Sequence, residues 1–131
     1  MKKVVRNKDT GNMFVRYGKS FKHAIDGIVY SIENEQNILI MMLATLVTLI
    51  ASFLLGVSKI ELALVVICIG TVIACEMINS AIEACVDLTT TKEHELAKIA
   101  KDCASGASLV LSVMSIFVAG IVFIPKIIEL F

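Results

Sequence analysis

Tryptophan is absent from this sequence, tyrosine occurs twice and proline once, at Pro125. So thin an aromatic complement cannot build the strong interfacial belt that marks membrane boundaries to the residue. Charge is scarce as well: 18% of residues are charged against 57% hydrophobic. A soluble domain of 131 residues cannot hide that much apolar surface, so the composition favours one domain in a membrane. The four cysteines, Cys68, Cys75, Cys85 and Cys103, form no C-x-x-C pair, and most lie in or beside apolar segments. There they read as small hydrophobes rather than as a metal site or disulfide framework. The basic stretch Met1 to Lys8 is not followed directly by an apolar core, so a cleavable signal peptide is not expected.

Two familiar motifs are missing although fragments of them occur. Gly11 to Ser20 reads GNMFVRYGKS and ends like a phosphate-binding loop, but six residues separate its glycines where that loop needs four. His94 is followed by Glu95, yet HELAK is not H-E-x-x-H, which argues against a zincin site. No internal repeat or low-complexity tract is evident.

What is present is a set of long apolar runs. Ile38 to Val57 is 20 residues without a charge, and Cys103 to Pro125 is 23. Each is long enough to cross a hydrocarbon core of about 30 Å as a helix. Leu62 to Cys75 is uncharged for only 14 residues, but the helical pattern continues through Met77, Ile78, Ala81, Ile82 and Val86. One helix from Ile60 to Asp87 is therefore expected, its last turns studded with acids. Ahead of these runs, Phe14, Tyr17, Phe21, Ile25, Ile28 and Ile32 recur at spacings of three and four, with Arg16, Lys19, Lys22, His23 and Asp26 between them. That pattern predicts an amphipathic helix along a membrane surface. The expectation is one all-α membrane domain over 1–131, with a surface helix at 14–34 and transmembrane helices at 37–57, 60–87 and 102–125.

Lysine and arginine set the orientation. Seven precede Gln36 (Lys2, Lys3, Arg6, Lys8, Arg16, Lys19 and Lys22) and three more, Lys92, Lys98 and Lys101, lie between the second and third spans. Only Lys59 and Lys126 fall on the other side, which places the N-terminus and the second loop in the cytoplasm.

The chemistry concentrates on the second span. Glu76, Glu83 and Asp87 are separated by seven and four residues, so they share a narrow arc of one helix, with Asn79 on its flank. Burying an ionisable group in hydrocarbon costs several kcal/mol, so such residues mark functional sites. Asp87 alone could be a solvated helix end; Glu76, some three turns further in, is poorly explained that way. Glu76 and Glu83 stand about 10 Å apart along the axis, too far to share one metal ion easily. Glu33, Glu35, Lys101 and Asp102 are expected at the same interface. Carboxylates suit Mg²⁺, which commonly bridges them to phosphate oxygens, and basic side chains suit the phosphates. Physical chemistry alone thus reaches a carboxylate-rich, cation-binding membrane site facing the cytoplasm. It leaves open a phosphotransferase or a non-enzymatic ion- or proton-conducting subunit using Glu76 and Glu83.

The segment EMINSAIEACVD, Glu76 to Asp87, resembles the signature of the prokaryotic diacylglycerol kinase family, which includes undecaprenol kinases, and matches E-x-x-N-(S/T)-A-I-E-x-x-V-D at every fixed position. HELAKIAKDCASGAS, His94 to Ser108, resembles the family's H-x-L-x-x-x-A-K-D segment, and Arg16, Gly27 and Glu35 fit its N-terminal portion. The resemblance implies a homotrimeric helical bundle in the bacterial inner membrane. Its partners would be ATP and a lipid alcohol, with Mg²⁺ as cofactor and nucleic acid as no partner. By motif position Glu76 is implied as the catalytic base and Asn79 as its polar support. Glu35 and Glu83 are implied as the metal and nucleotide-phosphate carboxylates, and Asp87, His94, Lys101 and Asp102 as nucleotide contacts. Arg16 is implied near the reacting phosphate, and Arg16 and Ser105 near the lipid headgroup. One stretch departs: Gram-positive relatives often read E-x-N-F-R-I-H after the glutamate equivalent to Glu35, whereas here Ile38 to Met41 is apolar. SFKHAIDGI at Ser20 to Ile28 and LAKIAKD resemble the Gram-positive branch, which implies undecaprenol ahead of diacylglycerol as acceptor.

Overall fold

The computed structural model describes residues 13–89 and 94–131. Lys2, Lys3, Arg6, Lys8 and Lys92 of the orientation count lie outside the described residues, as does Gly11. The described residues form four helices and no strand: α1 (Met13–Asn34), α2 (Gln36–Leu54), α3 (Lys59–Thr89) and α4 (Glu95–Ile128). The last three are long and apolar enough to cross a membrane.

Local chemistry explains where each helix stops. Only Glu35 separates α1 from α2; its extended backbone (φ −109°, ψ 108°) breaks the helix, while its N–H still bonds back to Ser31 and its carbonyl accepts from Ile38. The first span was expected to run to residue 57, but α2 ends at Leu54. Gly56 takes a left-handed φ of 60°, the Gly56 N–H donates to the Phe53 carbonyl and the Val57 N–H to Ser52. This is the glycine-terminated helix stop in which the final carbonyls are satisfied by the turn itself. The reverse start is as specific. Ser58 Oγ accepts from the Glu61 N–H and the Glu61 carboxylate accepts from the Ser58 N–H, a reciprocal cap that launches α3. The α2–α3 hairpin is tight because a stop and a start are written into Gly56, Ser58 and Glu61.

α3 and α4 are longer than a bilayer core requires. At 1.5 Å per residue the 31 residues of α3 reach about 46 Å, against a hydrocarbon thickness of about 30 Å. α4, at 34 residues, begins at Glu95, well before the expected span start at 102. The surplus places additional turns of both helices around the charged Glu83, Asp87, Lys101 and Asp102. α3 and α4 form the principal antiparallel pair, while α2 and α1 make slighter contacts with α3 and with each other.

The apolar core is small: Ile38, Val65, Ala104 and Val122 are its buried residues, whereas Phe53, Ile60, Phe117 and Ile121 are largely exposed. The accessible surface is 10830 Å², against roughly 6,800 Å² for a compact soluble chain of this mass. Outward-facing apolar side chains on spanning helices meet lipid, or other helices, at no hydrophobic cost. Hydroxyls of α2 satisfy themselves. Thr45, Thr48 and Ser52 donate to the carbonyls of Met41, Ala44 and Thr48, one turn back on α2. A cavity of about 250 Å³ opens between α2, α3 and α4, lined by groups such as Thr48, Cys68, Ile73 and Phe123. It contains no charged side chain and extends from near Glu76 toward the hairpin, away from Asp87.

Candidate active site

The carboxylate stripe lies along the inner face of α3 and then emerges from it. Glu76 is only 6% exposed and Asn79 only 9%. Glu83 is half-buried and Asp87 exposed. This gradient follows from the helix period: positions 76, 79 and 83 share the face turned toward the other helices, and by Asp87 the helix has left their cover.

Each polar group along the stripe has a distinct partner. Asn37, in the first turn of α2, donates its side-chain N–H to Glu76 Oε1 at 2.8 Å. Asn79 donates to Glu83 Oε1 at 3.2 Å. Lys101, in the second turn of α4, meets Asp87 Oδ1 at 2.6 Å and ties the C-terminal end of α3 to the N-terminal end of α4. The expected support of Glu76 by Asn79 is thus divided in this chain. Asn79 serves Glu83, and the amide bonded to Glu76 comes from another helix. Periodicity could not reveal Asn37, because it stands at the edge of an apolar run and its partner is 39 residues away.

The remaining expected residues lie around this line. Glu35 is half-buried at the α1–α2 break, two residues before Asn37, and its side chain makes no capping bond. Arg16 is exposed in the first turn of α1, and Ser105 and Asp102 are exposed on α4. His94 caps α4: its Nδ1 accepts from the Leu96 N–H at 3.2 Å. Among the described residues no hydrogen bond or ion pair joins Arg16, His94 or Ser105 to the stripe.

Two buried polar atoms, Asn79 Oδ1 and Ser108 Oγ, lack a partner among the described residues. A buried acceptor without a donor costs about 1–3 kcal/mol, so these two atoms are the least satisfied polar atoms of the described helices. The nearby half-buried carboxylates, Glu83 and Glu35, are oxygen donors. That suits a hard cation such as Mg²⁺, which keeps several waters and phosphate oxygens and needs few protein ligands. No cluster of three His, Cys, Asp or Glu side chains occurs among the described residues.

Comparison with known proteins identifies the family. The family profile described as Prokaryotic diacylglycerol kinase matches residues 22–123. The chain is 41% identical over 120 residues to an undecaprenol kinase of Bacillus subtilis, covering 92% of this chain and 98% of that protein. It is 35% identical over 112 residues to a diacylglycerol kinase of Synechocystis, covering 85% of this chain and 64% of that protein. It is 32% identical over 105 residues to a diacylglycerol kinase of Haemophilus influenzae, covering 79% of this chain and 89% of that protein. A spanning helix with a buried glutamate, an acidic stripe rising to its end and a lysine closing that end belong here to a member of the prokaryotic diacylglycerol kinase family, a family of lipid kinases.

Proposed function

We propose that this protein transfers the γ-phosphoryl group of ATP directly to the hydroxyl of a membrane lipid alcohol, with undecaprenol the favoured acceptor and diacylglycerol the alternative. The observation that carries the reading is Glu76: a carboxylate 6% exposed, in the middle of a membrane-length helix, in a chain 41% identical to an undecaprenol kinase. A buried carboxylate at that depth meets a lipid hydroxyl more readily than a soluble nucleotide. The more exposed Glu83, Asp87 and Lys101 form the nucleotide side.

In this mechanism ATP approaches from the cytoplasm, where the basic N-terminal segment and the α3–α4 connection are placed by their lysine and arginine content. Lys101, Asp102, Asp87 and His94 hold the nucleotide, and Arg16 neutralises the reacting phosphate. Glu35 and Glu83 would hold Mg²⁺, which when bound would offset phosphate charge. The lipid hydroxyl enters sideways from the bilayer past Ser105. Glu76 takes its proton as the new O–P bond forms in line with the departing ADP oxygen. Positioning and charge neutralisation supply most of the acceleration. α1 lies on the cytoplasmic surface of the inner membrane, with its Phe14, Tyr17 and Phe21 side toward lipid. Three spans with so small a core enclose a site poorly, which supports assembly into a homotrimer.

The test is purified protein in lipid micelles with labelled ATP, offered undecaprenol or diacylglycerol. Label is expected in both acceptors, with undecaprenol faster. Label in neither overturns the kinase reading. Conductance in bilayers without ATP consumption establishes the ion-pathway alternative.

A further inference from the structure

We propose that Asn37 is a positioning residue: it commits one oxygen of Glu76 to the protein and leaves the other to the acceptor hydroxyl. The inference rests on the reading of Glu76 as the base and extends it to a residue in a different helix. Asn37 Nδ2 lies 2.8 Å from Glu76 Oε1, a hydrogen bond to a carboxylate that is 6% exposed. A glutamate side chain has three rotatable bonds, and a base must be held within a few tenths of an ångström and a narrow angle of the proton it removes. With Oε1 engaged, the carboxylate plane is fixed and Oε2 is the oxygen left to receive a proton.

The chain around Asn37 suits this role. An asparagine at the start of a helix ordinarily serves the local backbone. Here it spans 39 residues of sequence to reach α3. It follows by two positions the extended Glu35, the one non-helical residue between α1 and α2. The break and the bond together pin the α1–α2 elbow to α3 beside the base. One contact therefore restrains the orientation of Glu76 from a different helix. Asn37 is itself exposed, so its replacement opens no core cavity.

A double-mutant cycle in full-length protein tests the proposal, using labelled ATP and undecaprenol in micelles. Asn37→Leu is expected to lower kcat about 10- to 100-fold, with KM for ATP within about threefold of the parent. Asn37→Gln, which keeps an amide donor, is expected to recover a substantial part of that loss. In a Glu76→Gln background, where no base remains to orient, Asn37→Leu is expected to cost less than about twofold. Equal losses in the two backgrounds, or a loss carried by KM for ATP, overturn the role of Asn37 while leaving the base in place. Near-parental turnover of Glu76→Gln alone overturns the base, and is read before the cycle is closed. Thermal unfolding in the same micelles verifies that each variant is folded.

Discussion

Lys101→Met separates a structural lysine from a nucleotide-binding one, because the two roles differ in magnitude. The Lys101–Asp87 pair is short, 2.6 Å, but its side chains are 37% and 66% exposed. An ion pair so open to solvent contributes about 0.2–1 kcal/mol after screening and side-chain ordering. Its loss should lower the unfolding temperature by only a few degrees. A hydrogen bond from the same ammonium to a phosphate is worth about 1.5–3 kcal/mol. ATP must first draw Lys101 away from Asp87, so the net contribution is about 1–2 kcal/mol. That corresponds to a rise in KM for ATP of about 5- to 30-fold in Lys101→Met. The assay is initial-rate phosphorylation across ATP concentrations in micelles, beside thermal unfolding of the same samples. Asp87→Asn completes the comparison. If Asp87 contacts the nucleotide, KM for ATP rises as well; if it only restrains Lys101, KM falls. A Lys101→Met protein with parental KM and a destabilisation below 1 kcal/mol would refute the nucleotide role and leave a surface ion pair.

Glu76→Gln preserves shape and the acceptor for Asn37 but removes the base, so kcat should fall by about 10²–10⁴ with KM for ATP little changed; parental turnover contradicts the assignment. Glu83→Gln should raise the Mg²⁺ concentration needed for half-maximal rate by about tenfold or more, read by Mg²⁺ titration at saturating ATP, and an unchanged titration removes Glu83 from the cation site. Gly56→Ala tests the hairpin: its φ of 60° disfavours a Cβ although no neighbour lies within 4 Å, so the cost is backbone strain alone, about 1–2 kcal/mol, with kcat unaffected. A cost below about 0.3 kcal/mol by thermal unfolding would contradict it.

Much of the architecture was legible in the residue pattern. Three long apolar stretches and the spacing of Glu76, Glu83 and Asp87 identified the spanning helices and the acidic face, because helix period and bilayer thickness are local quantities. Termini were less legible. The first run is uncharged to Val57, yet the helix ends at Leu54, since Gly56 adopts a left-handed backbone that hydropathy does not register. Pairing was least legible. Asn79 flanks Glu76 by spacing, but its amide turns one helical turn onward to Glu83 at i, i+4.

The sequence by itself determined that the chain is membranous and helical, that carboxylates line one face of α3, and that this motif belongs to a lipid kinase family. Those properties follow from composition, period and a short signature, none of which needs a second helix. Only the tertiary structure decided that Glu76 is enclosed while Asp87 is open, that Lys101 closes the end of the α3–α4 pair, and that the amide serving Glu76 is Asn37. Each depends on which faces of separate helices meet, and that is set by how α2, α3 and α4 pack, not by the spacing of residues along any one of them.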